Sequence, residues 1–343
     1  MNIVEIDGSL GEGGGQVLRT SLALSMITGR PLRMQRIRAG RAKPGLRRQH
    51  LACVEAAAKL CGAEIRGAEV GSQQLWFSPG AIVGGDLMID IGTPGSTTLV
   101  VQTIANPAII AERPITAIIL GGTHNPLAPP FEFLDRVFLP HLRRMGASIS
   151  LSLDRHGFAS GESSGQRGPL GQITLSIAGG SLRPISVVDA GPIVARRATA
   201  IIARLPTHVA ERELAIVRER LGATITCEVR DVRASGPANL LMIEIDRANG
   251  RELVTHLGER GLRAELVASR ACDELAAFVD AGVPVGEHLA DQLLLPMAVA
   301  GGGAFRTRAL SLHATTNIAT IQRFLDVPIR VELDGDAVVV TIG

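Results

Sequence analysis

Cys61-Gly62-Ala63-Glu64-Ile65, Met145-Gly146-Ala147-Ser148-Ile149 and Leu221-Gly222-Ala223-Thr224-Ile225 are three versions of one pentapeptide. Each follows an amphipathic stretch, at about 46–61, 130–144 and 207–220, and each opens a β-rich one. Glycine stands in all three where a helix should stop, because the left-handed conformation of a helix cap costs it nothing. The repetition outweighs any single boundary. It predicts two-layer α/β units with helices packed on one face of a sheet, and not a doubly wound fold.

The same reading extends outward. Strands are expected at 2–7, 31–38, 73–78, 86–91, 114–120, 171–177, 304–310, 328–333 and 336–341, and further helices at 17–29, 96–109, 288–299 and 315–325. From roughly 184 to 278 the texture changes, with arginine and glutamate runs replacing the glycine-rich, low-charge style that resumes at Ala276-Ala-Phe-Val-Asp280. That segment is expected to be a small inserted α/β domain, leaving 1–183 and 279–343 as the main one.

Composition narrows the chemistry. The 343 residues carry a net charge of +2, but only Lys43 and Lys59 are lysines among 35 basic residues. No Gly-Lys-Ser/Thr loop occurs, which excludes a P-loop nucleotidase. Trp76 is the one tryptophan and tyrosine is absent, so flat platforms for bases are scarce. The four cysteines lack the short spacing of a zinc or redox motif, and Cys53 and Cys61 fall in an apolar helical pattern. The start, MNIVEIDGS, has acids where a signal peptide needs bases, and no apolar stretch reaches 18 residues. A cytoplasmic protein with no membrane segment is expected.

Four constellations carry possible chemistry. Asp7-Gly-Ser-Leu-Gly-Glu12-Gly-Gly-Gly-Gln16 sits between a strand and a helix, where glycines let backbone amides approach a phosphate. Glu12 inside such a loop repels an anion unless it is protonated, orients a nucleophile or meets a divalent metal. Next, 33–48 holds Arg33, Arg36, Arg38, Arg41, Lys43, Arg47 and Arg48, with no Asp or Glu between Glu12 and Glu55. Guanidinium forks suit phosphate oxygens, so a phosphate-bearing ligand or a short piece of nucleic acid is expected rather than a solvated face. Third, His288, Asp291 and Gln292 share one face of an otherwise apolar helix, as either a structural network or a site. Fourth, His313 lies where a strand hands over to a helix.

Together these stretches resemble RNA 3′-terminal phosphate cyclases: DGSLGEGGGQVLRTSLALS (7–25), IRAGRAKPGLRRQHL (37–51), GGTHNPLAPP (121–130), RHGF (155–158), HVAERE (208–213), GEHLADQLLLPMA (286–298) and His313 with TTNIATIQRFL after it. The resemblance spans nearly the whole chain. It implies repeated βαβαββ units forming a large domain, with a smaller α/β domain inserted between the third and fourth units. It implies ATP as co-substrate, a divalent metal (Mg or Mn), and an RNA with a 3′-terminal phosphate as partner; a homodimer is one of the arrangements left open. His313 matches the nucleophile that takes AMP on Nε2, and Glu12 the catalytic and metal-binding carboxylate. Gln102 and the stretch His288, Leu289, Ala290, Asp291, Gln292 match nucleotide-contacting positions, and Arg19, Arg38 and Arg41 match arginines around the phosphates.

Two places depart from the family pattern. His288 stands where the family has tyrosine, which removes an aromatic face and adds a titratable ring. ASGESSG (159–165) replaces a Tyr-Pro-x-Gly-Gly-Gly run. Three other readings share features with this one: an enolpyruvyl transferase, which would need Lys/Arg clamps; a non-catalytic paralogue acting in ribosome assembly, which would lack the nucleophilic histidine; and an RNA-end-binding protein retaining only adenylation.

Overall fold

The computed structural model describes residues 2–158 and 170–343, so the 159–165 departure lies outside the described residues. The first unit comprises β1 (Val4–Asp7), α1 (Gly15–Thr28), β2 (Leu32–Gln35), α2 (Arg48–Cys61), β3 (Glu64–Arg66) and β4 (Leu75–Ser78). Its sheet runs β1-β2-β4-β3, with β1 and β2 parallel and the other pairs antiparallel. A parallel pair needs a crossover, and α1 provides it.

The second unit repeats this order as β5-β6-β8-β7, from β5 (Gly85–Asp90), β6 (Ile115–Gly121), β7 (Ser148–Arg155) and β8 (Gly171–Gly179). Its crossover is α3 (Thr97–Ile109). Its second helix is built of α4 (Phe131–Phe133), a π-helical turn at Leu134–Phe138 and α5 (Leu139–Met145).

The third unit begins with β9 (Ser186–Val187), whose partner in the sheet comes more than a hundred residues later. After β9 the chain makes β10 (Ile193–Ala203), α6 (His208–Leu221), β11 (Thr226–Asp231), β12 (Ala238–Arg247), β13 (Gly250–Leu257) and α7 (Ala264–Asp280). It then completes the unit with α8 (Glu287–Val299), β14 (Gly303–Thr307), α9 (Leu312–Ile321), β15 (Ile329–Asp334) and β16 (Ala337–Ile342). The order β9-β14-β16-β15 matches the other two units. The excursion therefore interrupts the third unit between its first strand and first helix, and does not separate a third unit from a fourth. Its edges also differ from 184–278, because Ser186 and Val187 pair with Ala304 and Phe305, and α7 runs on to Asp280.

The excursion's own sheet, β11-β10-β12-β13, has a different connection and is not a further copy. Of the three repeated glycines, Gly62 and Gly146 take the left-handed cap (φ 61°, ψ 36° and φ 112°, ψ 3°). Gly222 does not: at φ 89°, ψ 161° it turns the chain out of α6 in an extended, glycine-only conformation.

One continuous core joins the three units, from Val4 and Leu18 through Ile104 and Phe138 to Leu293 and Phe305. The excursion has a second cluster between its sheet and α6 and α7, including Ala200, Ile202, Leu214, Ile243 and Leu275. The opposite face of that sheet, with Ile201, Leu240, Met242 and Leu253, belongs to the first core. Two-sided burial explains why Ala238–Ile245 reads as an almost unbroken apolar run. Among the described residues no helix is long and apolar enough to cross a membrane, and Cys53, Cys61 and Cys272 are buried free thiols.

Glu252, on β13, ties the two bodies by an unusual contact. Its buried carboxylate accepts from the amide of its neighbour Leu253 (3.1 Å), while its other oxygen, Oε2, lies against Gly286 at the start of α8 with no hydrogen-bond partner among the described residues. A side chain at Gly286 would collide with it. Burial pushes the Glu252 carboxyl up from 4.5 to about 7.

Two outcomes follow. Produced alone, residues 188–286 should keep their helix and strand content in circular dichroism yet self-associate in sedimentation, since Leu240, Met242 and Leu253 lose their cover; a monomeric, well-folded fragment would contradict this. Because the unfolded state ionises Glu252 first, stability falls as pH rises from about 4.5 to about 7 and then levels. Glu252→Gln should thus raise the thermal midpoint at pH 8, by up to about 3 kcal/mol in stability, and change little near pH 4; equal shifts at both pH values would refute it.

Candidate active site

The glycine run lies between β1 and α1 because it must press against α9. A side chain at Gly11 (φ 56°) would enter the Thr316 side chain, and one at Gly14 would enter the Glu12 carboxylate. The Glu12 backbone amide donates to Thr316 Oγ1 at 3.2 Å, which fixes the loop on the helix. Glu12 then points inward, its side chain 13% exposed.

His313 occupies the first turn of α9, which starts at Leu312 rather than at 315. Ser311 caps the helix by accepting from the Ala314 amide at 3.2 Å. The imidazole is half exposed, and its Nδ1 lies 3.7 Å from Glu12 Oε2 and 3.0 Å from Gln16 Oε1. Gln16 Nε2 donates to Asp291 Oδ1. Asn317 Nδ2 donates to the same oxygen (3.0 Å) and to the Asp291 carbonyl (2.9 Å), while Thr20 Oγ1 donates to Asn317 Oδ1 at 2.8 Å.

This network assigns the histidine tautomer. Asp291 Oδ1 receives two N–H donors and acts as acceptor, so the Gln16 amide nitrogen faces it. The Gln16 oxygen must then face His313, whose Nδ1 carries the proton. The Nε2 lone pair is left free at the solvent side. Burial raises the Asp291 pKa, with His313, Arg19 and the two amide donors pulling the other way.

The basic loop differs from expectation. Arg33, Arg36 and Arg41 are paired with Glu5, Asp7 and Glu12, acids of the preceding strand and loop. Arg38 adopts φ 55° and its Nη1 donates to the carbonyls of Lys43 and Gly45, both at 2.9 Å, so it staples its own loop. Arg19 is half-buried on α1 and has no hydrogen-bond partner among the described residues. Arg38, Arg19 and Arg47 surround His50, whose pKa burial and these three charges push down to about 3. His50 is therefore neutral, accepting from the Arg47 amide at 3.2 Å. A side chain at Gly15 would meet both His50 and Arg19, so this cationic cluster borders the glycine loop.

The structure places the residues of α8 in different surroundings. Leu289 and Ala290, expected to contact a nucleotide, are buried in the core, because the apolar positions of α8 face inward there. His288 is exposed and meets the Phe133 ring edge-on at 6.5 Å. Gln292 Oε1 is buried with no partner among the described residues. Gln102 is half-buried on α3 and joins no hydrogen bond of this network among the described residues. Three members were missed by sequence reading: Gln16, Asn317 and His50. Gln16 and His50 each close a stretch already singled out, and Asn317 is one helical turn from His313.

Among the described residues no group of three His, Cys, Asp or Glu side chains is placed to cage a metal ion. Glu12 alone suits a hard cation that draws its other ligands from phosphates and water, as Mg²⁺ commonly does.

The sequence model of the RNA 3′-terminal phosphate cyclase family matches residues 10–331. A protein named RNA 3′-terminal phosphate cyclase from Ectopseudomonas mendocina is 46% identical over 336 residues, 96% of this chain and 94% of its own length. One of the same name from Ralstonia nicotianae is 45% identical over 347 residues, covering 99% and 96%. Another from Salmonella paratyphi C is 43% identical over 330 residues, covering 96% and 94%. Glu12, Gln16, Asp291 and His313 all fall inside the matched span, and the chain belongs to the RNA 3′-terminal phosphate cyclase family.

Proposed function

We propose that the protein converts an RNA 3′-terminal phosphate to a 2′,3′-cyclic phosphate with ATP, through AMP carried covalently on His313. The single observation behind this is the Asp291–Gln16–His313 chain, which engages Nδ1, with Glu12 also on that side, and leaves Nε2 with a free lone pair. Nε2 attacks the α-phosphorus of ATP, the bond to the β-phosphate oxygen breaks, and pyrophosphate leaves. An oxygen of the RNA 3′-phosphate then takes the AMP from Nε2. The 2′-hydroxyl attacks the activated 3′-phosphorus, its proton passes to solvent, and AMP departs.

The residues divide this work by chemistry. A neutral imidazole is a competent nucleophile near pH 7, and Gln16 holds the ring with its proton on the far nitrogen. As Nε2 becomes bonded to phosphorus the ring turns cationic. Asp291, reached through Gln16, and Glu12 both face that charge at Nδ1. Arg19 and the arginines around His50 lie beside the loop where phosphates would dock. A Mg²⁺ or Mn²⁺ ion held by Glu12 would neutralise phosphate charge when bound, and Arg41, Glu12's partner here, would be released to the same phosphates. With four free cysteines, a reducing cytoplasm suits the chain.

The rival readings fit less well. An enolpyruvyl transferase would rely on Lys/Arg clamps rather than a histidine nucleophile, and this chain has two lysines, Lys43 and Lys59, and a half-exposed His313 held at Nδ1. A scaffold protein has no use for a half-exposed histidine with a fixed tautomer.

Incubation with ATP labelled at the α-phosphate and a divalent metal should give an acid-labile, alkali-stable adduct. His313→Ala should abolish adduct and cyclisation together while folding normally; an adduct on that variant would overturn the assignment. Gln16→Ala should slow single-turnover adenylation at least roughly tenfold, about 1.4 kcal/mol in the transition state, with ATP affinity little changed. An unaltered rate would show that the ring needs no partner at Nδ1.

A further inference from the structure

A groove of about 620 Å³ opens beside the site, between the ends of β1 and β2 and the outer face of α9. That volume is in the range of pockets that hold a single small ligand, roughly 300–1,000 Å³. Residues of α9 divide cleanly around it. His313 and Asn317 face α1 and α8, whereas Leu312, Thr315 and Ala319 line the groove. Thr316 sits at the divide, holding the Glu12 amide.

We infer that this groove receives the penultimate nucleotide of the RNA, the one immediately 5′ of the reacting end. The inference rests on the adenylate reading and extends it to the path of the strand. Two large apolar side chains mark the mouth: Leu10 is 51% exposed and Leu312 is 59% exposed. Scattered surface leucines need no explanation, but these two stand two residues before Glu12 and one before His313. A strand whose 3′-phosphate lies between that pair must carry its next nucleoside over them. With so few aromatics in the chain, aliphatic faces are what remains for a base to rest on.

Charge points the same way. Arg33, Arg36 and Arg323 line the groove against Glu5 and Asp7, so it is cationic by one charge. The Arg36–Asp7 and Arg33–Glu5 pairs are exposed, with the arginine side chains 65% and 55% accessible. Exposed pairs of this kind are weak, and an internucleotide phosphate can take Arg36 from Asp7. Arg36 also holds the left-handed backbone conformation at φ 52°, uncommon for arginine and frequent at ligand-binding positions. The Nδ1 side of His313 is closed by Gln16, with Asp291 and Asn317 behind it, which leaves the Nε2 side for reacting groups.

The test uses the full chain and 3′-phosphorylated oligoribonucleotides of one, two, three and ten residues. Wild-type kcat/KM should rise from one residue to two. Leu10→Ala and Arg36→Gln should each lower kcat/KM by roughly tenfold on two residues or more, through KM. Both should leave the mononucleotide rate and RNA-free adenylation unchanged. Asp7→Asn, which removes the competitor for Arg36, should lower KM for the dinucleotide. Equal losses on the mononucleotide would mean loop damage, and wild-type KM in all three variants would place the strand elsewhere; either overturns the inference. Should the wild type form no adduct, the adenylate reading falls first. Fluorescence anisotropy with the same oligonucleotides then decides the groove on its own, unaltered affinity in the variants counting against it.

Discussion

The site depends on one long-range contact: the glycine loop of the first unit seated on the first turn of α9 in the third. Glu12 and Thr316, which make it, are 304 positions apart. Glycine is required at 11 because the loop backbone comes within side-chain distance of Thr316, and at 14 because the Glu12 carboxylate folds back over the chain. Neither unit holds a site alone. The first provides Glu12, Gln16 and Thr20; the third provides Asp291, His313 and Asn317. Three repeats packed on one core bring the strand–helix loop of one copy against a helix start of another. Any change in repeat packing is therefore felt at His313 Nδ1.

Charge placement follows from the same geometry. A run of seven cations without an intervening acid looks unpaired along the chain, yet parallel pairing of β1 with β2 aligns Glu5 with Arg33 and puts Asp7 beside Arg36. Glu12 reaches Arg41 because the loop doubles back. Arg33 and Arg36 are thus held in place by exposed pairs, while Arg19, Arg38 and Arg47, half-buried to exposed, surround a buried, neutral His50 that leaves their charge uncompensated. Such an arrangement favours an incoming anion: phosphates replace carboxylates at exposed forks, and no buried ion pair has to be broken first.

Much of the architecture was legible because it is periodic. Helix and strand positions recur with the pentapeptide at 61–65 and 145–149, and local pattern is strongest where one face is buried. The third copy, 221–225, belongs to the excursion, so the same signature arose in a unit of different topology; Gly222 betrays this by its extended conformation. The point of insertion was not legible. β9 is two residues long and makes sense only through β14. Among site residues, His313 and Glu12 stand in unusual contexts that sequence exposes. Gln16 and Asn317 matter only through partners 275 and 26 positions away. Leu289 and Ala290 show the reverse, residues inside a motif whose side chains serve the core.

The excursion is then more than an appendage. Its β13 places Glu252 against Gly286, the residue that precedes α8, and its β12 carries Glu244, which accepts from Arg136 of the π-helical segment at 3.0 Å. That segment follows Phe133, the residue His288 leans on. Two carboxylates of the inserted sheet thus hold both neighbours of the exposed end of α8, while the other end of the network, Asp291, lies one turn further along the same helix. The helix start packs closely on the Glu252 carboxylate, with no room for a side chain at Gly286. Asp291 hydrogen-bonds Gln16, and Gln16 the imidazole, so the helix that meets the inserted sheet at its start also carries the carboxylate at the far end of the chain that holds His313.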